Sequence, residues 1–336
     1  MTVIDINIYL EEDNVMKKQL FDLFGSRYEY LIYDLLMFFV DNSIKSRYVD
    51  ILNKHGVNTA LHYKSVMDFV LSVEKKYVRD AQTLIQPNDV YHICEILNQY
   101  GYLSKQNFAF FNNMDGMNSF YIGFDRGISK FDKNILSIRL NSLVYGFQYI
   151  YKICKSKVLP IVVKKIDEDK EHIGTCFKSI YGIVTAKHCI DGYDFISIDG
   201  YDLKNAGIIL HNDVDLALII PTNYNFLEGL LLGKYNVLDD VIALGYPSIS
   251  GFTQFLNGTV GSITAIEKSY LSHGNLMLLT CPIKGGNSGG PIINELGEVV
   301  GVITDLPYSE GNQSMYDNFG YGCATPIEYI DDLIKK

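Results

Sequence analysis

The spacing of apolar residues changes once along this chain, near residue 156, and that change limits the folds open to it. Before it, Tyr28, Leu31, Ile32, Leu35, Leu36 and Phe39 recur at i, i+3, i+4, i+7, i+8 and i+11, which draws one stripe down a helix. Val90, Ile93, Ile96, Leu97 and Tyr100 make a second stripe, with Asn88 expected as N-cap after Pro87 and Gly101 as the stop. A last helix is expected over 137–154, placing Leu140, Leu143, Val144, Phe147, Tyr151 and Cys154 on one side.

After residue 156 the period shortens. Val158 to Val163 opens a series of short β-rich runs separated by Gly, Asn and Asp, at 181–186, 193–198, 205–210, 214–220, 240–246, 259–266, 275–281, 298–304 and 319–325. Many short strands with turn residues between them predict an all-β barrel or sandwich. A closing helix is expected with Thr325 as N-cap and Pro326 at its first position. The fold class is therefore α + all-β in two domains: a mainly helical domain at 1–155 and a β domain at 156–336. A chain of 336 residues gives each half room for its own core.

Charge follows the same division. Residues 1–155 hold 17 Lys+Arg and 17 Asp+Glu, so the whole net charge of −10 lies in residues 156–336. An acidic surface repels a phosphate backbone, which argues against nucleic acid as a partner of the second half. In the first half, the helix near 88–100 followed by Phe108 to Phe111 and Tyr121 to Phe124 suggests a winged helix. Its neutral charge argues against duplex binding there too. A regulatory partner or self-association is the expectation for residues 1–155.

Met1 to Leu10 has no basic leader and runs into Glu11, Glu12 and Asp13. The most apolar stretch, Leu31 to Val40, is broken by Asp34 and has about half the length needed to span a bilayer. Six cysteines without a CxxC pair read as buried reduced thiols. These features lead to the expectation of a cytoplasmic protein with no membrane partner. His55, His62 and His92 lack metal-site spacing, and neither a metal nor a cofactor is expected.

Three segments carry chemistry: Ile183-Val-Thr-Ala-Lys-His188-Cys189, Asp213-Val-Asp215-Leu-Ala-Leu-Ile219, and Gly285-Gly-Asn-Ser288-Gly-Gly-Pro291. A serine hydroxyl holds its proton too tightly to attack a carbonyl at neutral pH. It needs an imidazole to take the proton and a carboxylate to fix the imidazole's tautomer. Glycines around the serine let backbone N–H groups converge on a developing oxyanion. Gly286-Asn-Ser288-Gly-Gly290 also fits the G-x-S-x-G elbow of α/β-hydrolases, but those place their histidine after the serine, and no histidine follows His273.

The order His, Asp, Ser, with Thr185-Ala-Lys-His188-Cys189, Asp215-Leu-Ala-Leu218 and Gly286-Asn-Ser288-Gly-Gly-Pro291, resembles the signature blocks of trypsin-like serine peptidases. It is most similar to the compact bacterial branch that includes the HtrA/Deg proteases. Gly174 to Phe177, Ala243 to Pro247 and Gly297 to Val302 extend the likeness, which covers roughly residues 158–336. The resemblance implies a chymotrypsin-like double β-barrel and a catalytic triad of His188, Asp215 and Ser288. It implies an oxyanion hole from the N–H groups of Gly286 and Ser288, and a substrate pocket at Pro282, Thr304 and Gly322. Asp213 shares a strand face with Asp215 on this reading and stays open as the carboxylate.

Asn287 stands where secreted relatives carry Asp, so activation through a new N-terminal ammonium is not expected. Cys189 meets Ile173 where those relatives have a bridging cysteine; free thiols are expected, with Cys176 and Cys189 a candidate redox pair. Pro282 in place of a buried carboxylate predicts cleavage after a small or medium uncharged residue, unless Asp305 enters the pocket. No PDZ domain is expected after the peptidase blocks. The expected function is an intracellular serine endopeptidase acting on protein or peptide substrates and restrained by its helical domain. The alternative is a catalytically silent peptidase fold used for binding or scaffolding.

Overall fold

The computed structural model describes residues 15–25, 27–77, 85–111, 117–125, 127–268, 274–304 and 321–335. The chain forms two compact units, Met1–Tyr149 and Ile150–Lys336. Asp305, the alternative pocket residue, and the start of the run expected at 319–325 lie outside the described residues. Among the described residues no helix is long and apolar enough to cross a membrane.

The first unit is a helical layer around a small antiparallel sheet. Strands β1 (Lys64–Ser65), β2 (Leu103–Gln106) and β3 (Phe120–Gly123) pair in the order β1-β3-β2. The helices Val66–Tyr77 and Pro87–Gln99 fall between β1 and β2. β2 and β3 pair antiparallel after the second of these helices. In the Leu31–Val40 helix, Leu31, Ile32, Leu35, Leu36 and Phe39 are all buried, so the stripe is core. The sheet lies directly on that helix: a Cβ added to Gly123 would come within 2.7 Å of the Val40 nitrogen.

Three helix boundaries differ from the sequence expectation. Pro87 is the first residue of its helix and Gln86 the N-cap, because a residue lacking an N–H fits the first turn better than the cap. The helix expected over 137–154 is two, Lys133–Tyr145 and Phe147–Cys154, divided at Gly146 with φ of 67°. The first of them is capped by Asp132, whose carboxylate accepts the N–H groups of Asn134 and Ile135 at 2.9 and 3.2 Å. Thr325 is no cap but lies in a strand, and the turn after it begins at Ile327.

The second unit is built from β4 (Val158–Lys164), β5 (Glu171–Ser179), β6 (Gly182–Thr185), β7 (Phe195–Ile198), β8 (Gly207–Leu210) and β9 (Ala217–Ile220), followed by six more strands. These are β10 (Asp240–Gly245), β11 (Asn257–Lys268), β12 (Asn275–Leu279), β13 (Pro291–Asn294), β14 (Val299–Thr304) and β15 (Gly322–Pro326). The first six make a sheet in the order β7-β4-β5-β6-β9-β8, a half-barrel. The last six close into a barrel, β10-β11-β12-β15-β14-β13. Each encloses an apolar core, Ile161, Val163, Ile183, Ile198 and Ile219 in one and Val241, Ile263, Met277, Leu279 and Ile303 in the other. A helical domain followed by a trypsin-like pair of β-barrels is thus the architecture, with the first barrel left open between β7 and β8. Strand β13 has no counterpart in the sequence reading, since only Ile292 and Ile293 follow the glycine-rich run.

Gly123→Ala tests the first unit. Its methyl group would press on helix backbone, which cannot step aside as a side chain can, so stability should fall by about 1–3 kcal/mol. Chemical denaturation followed by hydrogen exchange should place the loss in residues 15–149 and leave the barrels' protection unchanged.

Candidate active site

Three strand ends bring the motif segments together. β6 runs into a short 3-10 turn, Lys187–Cys189, in which Cys189 and Ile190 donate to the carbonyls of Ala186 and Lys187. That turn presents His188. Asp215 lies in a bend before β9, not within a strand as the alternation of residues 213–219 suggests. The bend is held by the buried His211 ring, whose Nδ1 accepts the N–H groups of Asp213 and Val214 at 3.0 and 3.2 Å. Ser288, 6% exposed, occupies the turn that leads into β13.

His188 Nδ1 lies 2.6 Å from Asp215 Oδ2, and the His188 backbone N–H donates to Oδ1 at 2.9 Å. The Thr304 hydroxyl also donates to Oδ2. Asp213 instead offers its backbone to His211. Burial disfavours the charge on both His188 and Asp215, yet their mutual hydrogen bond and attraction outweigh it. His188 is raised above the ordinary histidine value and Asp215 is lowered, with Thr304 helping to hold the carboxylate ionised. The imidazole can therefore store a proton beside a fixed anion.

The serine's backbone is tied to the same corner. Ser288's carbonyl accepts from the Thr175 N–H at 2.9 Å and from Cys189 Sγ at 3.4 Å, and that sulfur is 3.8 Å from His188 Nε2. One sulfur thus touches both the imidazole and the serine's main chain. Around it every carbonyl from 285 to 288 is engaged. Gly285 accepts from Ser248 N–H at 2.8 Å, Gly286 from the Thr175 hydroxyl at 2.7 Å, and Asn287 from Gly290 N–H at 2.9 Å. The N–H of Asn287 donates to Lys284, and that of Gly289 to Ile303. In a trans peptide the N–H points opposite the carbonyl. The N–H groups of Gly286 and Ser288 are therefore turned away from Ser248 and Gly290, the arrangement an oxyanion site requires. Gly286 has φ of 95° and Gly289 86°, and a Cβ on Gly289 would sit 2.1 Å from the Thr175 carbonyl oxygen. Only glycine fits there.

Of the residues assigned to a substrate pocket, Thr304 pairs with Cys323, the neighbour of Gly322, and Gly322 lies against Cys281 and Ile283 on either side of Pro282. Thr304's hydroxyl is committed to Asp215, Pro282 is exposed, and Gly322 faces Ile283, whose Cδ1 would be 2.4 Å from a Cβ there. Asn287 is buried with its Oδ1 lacking a hydrogen-bond partner. Sequence reading missed the roles of Thr175, His211 and Thr304, which depend on contacts across the fold rather than on local pattern. All six cysteines are free and buried. Burial raises Cys154 to about 12 and Cys281 to about 11, and lifts Cys94 and Cys176 as well.

The pH profile checks this electrostatic account. A base must be neutral to accept a proton, and Asp215 holds His188 above its usual value, so the acidic limb of kcat/KM should fall above pH 6.5. Asp215→Asn removes that support; its limb should move to lower pH while kcat drops on the order of 10⁴-fold.

The second unit is similar to known proteins. Residues 173–302 match the family model described as "Trypsin-like peptidase domain". The "Probable periplasmic serine endoprotease DegP-like" of Buchnera aphidicola subsp. Baizongia pistaciae is 29% identical over 163 residues, covering 46% of this chain and 33% of that protein. The "Periplasmic serine endoprotease DegP" of Escherichia coli K12 is 29% identical over 163 residues, covering 46% and 32%. Among solved structures, the active form of the Rv3671c protease from M. tuberculosis aligns with a TM-score of 0.45 and 18% identity, over 56% of this chain and 83% of that one. The chain spans about a third of the length of these DegP-type relatives.

The cytoplasmic expectation is corrected by these relatives, which are periplasmic endoproteases and point to a periplasmic location. The thiols misled because they are buried: with little thiolate exposed, such cysteines stay reduced whatever the compartment. Residues 173–302 of this chain thus match the model of a trypsin-like peptidase domain and are similar to the DegP-type serine endoproteases.

Proposed function

We propose that this protein is a serine endopeptidase that hydrolyses peptide bonds of protein substrates through Ser288, His188 and Asp215. The observation that carries the reading is the His188 pairing with Asp215 at 2.6 Å, beside a serine loop whose carbonyls are all turned elsewhere. In this mechanism Ser288 Oγ attacks the scissile carbonyl carbon while its proton passes to His188 Nε2. Asp215 stabilises the resulting imidazolium. The carbonyl oxygen, now an anion, receives the N–H groups of Gly286 and Ser288. Collapse breaks the C–N bond, and His188 returns the proton to the leaving amine. Water, deprotonated by His188, then hydrolyses the acyl-enzyme.

Residues 156–336 act as the peptidase domain on this reading, and residues 1–155 as a regulatory or recognition domain. The winged-helix order suggested by the sequence would not by itself make the latter a nucleic-acid binder. The Pro87–Gln99 helix carries Asp89 and Glu95 and no Lys or Arg, so it lacks the basic face that phosphate contacts need. A protein partner or a second copy suits it better. No metal or organic cofactor is called for by the chemistry.

Ser288→Ala should abolish labelling by a fluorophosphonate probe and lower hydrolysis by on the order of 10⁶-fold. Undiminished turnover in that variant would remove the enzyme reading and leave a peptidase fold used for binding. A peptide-library digest should show cleavage after small or medium uncharged residues. Products ending in Arg or Lys would overturn that preference.

A further inference from the structure

Thr175 is fully buried in β5, and all of its hydrogen-bonding groups serve the serine's surroundings. Its N–H donates to the Ser288 carbonyl at 2.9 Å, and its carbonyl accepts the Thr185 hydroxyl at 2.8 Å, at the end of the strand that leads to His188. Its hydroxyl donates to the Gly286 carbonyl at 2.7 Å and accepts the Tyr246 N–H at 2.9 Å. Backbone groups make the first two bonds, so any residue at 175 keeps them. The last two need the side chain.

What that side chain holds is a flexible joint. Gly285 and Gly286 are consecutive, and glycine crosses between positive and negative φ with little resistance. Gly286 sits at φ of 95° with the peptide on each side pinned from outside: Gly285's carbonyl by Ser248 N–H, its own by Thr175. Without the Thr175 hydroxyl the 286–287 peptide is held only by the Asn287 N–H bond to Lys284, and the Gly286 torsions that aim its N–H beside the serine are left with Ser248 as the one bond on the preceding peptide.

We infer that the Thr175 hydroxyl is a positioning group that holds the Gly286 carbonyl and thereby keeps the Gly286 N–H aimed beside Ser288 for transition-state stabilisation. This rests on the peptidase reading above and adds to it a residue that touches neither substrate nor the reacting atoms. An effect through the oxyanion should appear in kcat, because the ground-state carbonyl gains little from an N–H placed for the anion.

The test compares wild type, Thr175→Val and Thr175→Ser on a chromogenic peptide, with active sites titrated by fluorophosphonate. Thr175→Val keeps the shape and loses the hydroxyl; kcat should fall about 10–100-fold with KM within about threefold, less than the loss of a whole oxyanion donor. Thr175→Ser, which restores the hydroxyl, should recover kcat to within about threefold of wild type. Valine buries an unpaired carbonyl and N–H, so folding is checked by circular dichroism. If Thr175→Val does not fold, Thr175→Cys, with its weak donor, should show the same loss in kcat at unchanged KM. An active wild type with undiminished kcat in the folded Val or Cys variant would overturn this inference alone, as would a Ser variant as slow as the Val one. A folded wild type that neither hydrolyses peptide nor reacts with the probe would overturn the peptidase reading and this inference with it.

Discussion

Two backbone N–H groups can converge on one point only if the carbonyls between them are held elsewhere. In the 285–290 loop that condition is met by four separate partners: Ser248, Thr175, Gly290 and the Thr175–Cys189 pair around the Ser288 carbonyl. Two of these come from the half-barrel and act on a loop of the closed barrel. β5 meets the loop at Gly289, where the Thr175 carbonyl leaves no room for a Cβ, and residues 246–248 do the same at Gly286, where a Cβ would sit 2.5 Å from the Tyr246 carbonyl oxygen. Preorganisation of this kind means that no donors need to reorient when charge develops on the substrate.

The charge pair obeys the same logic. A carboxylate largely withdrawn from water would ordinarily be pushed toward its protonated form. Asp215 remains the anion because three donors surround it: the His188 ring, the His188 backbone and the Thr304 hydroxyl. These come from the turn after β6 and from the end of β14, so the anion, too, depends on both barrels being in register. His211, bound to the backbone of the bend that carries Asp215, fixes the position of that bend from beneath.

Much of this was readable in the sequence where the signal is local. The apolar stripe from Leu31 to Phe39 is buried along its length, and most of the short apolar runs after residue 156 are strands. Chemistry also has a local signature, since an imidazole, a carboxylate and a glycine-flanked serine stand at strand ends in a fixed order. What was hidden depends on contacts between distant residues. Thr304 bonds to Asp215 across 89 positions and Thr175 to Gly286 across 111; a threonine in an apolar strand gives no sign of such a partner. The break at Gly146 was obscured because the apolar spacing runs straight through it. Compartment was misread from thiols whose burial makes them silent about their surroundings.

The account turns on where an oxygen of tetrahedral geometry comes to rest. A crystal structure of the enzyme with a peptide aldehyde or boronate gives that position directly. The adduct should be covalent to Ser288 Oγ, with one oxygen about 2.7–3.1 Å from the N–H groups of both Gly286 and Ser288. An adduct on another residue, or an oxygen facing the carbonyl of Gly285 or Gly286 instead, would contradict it.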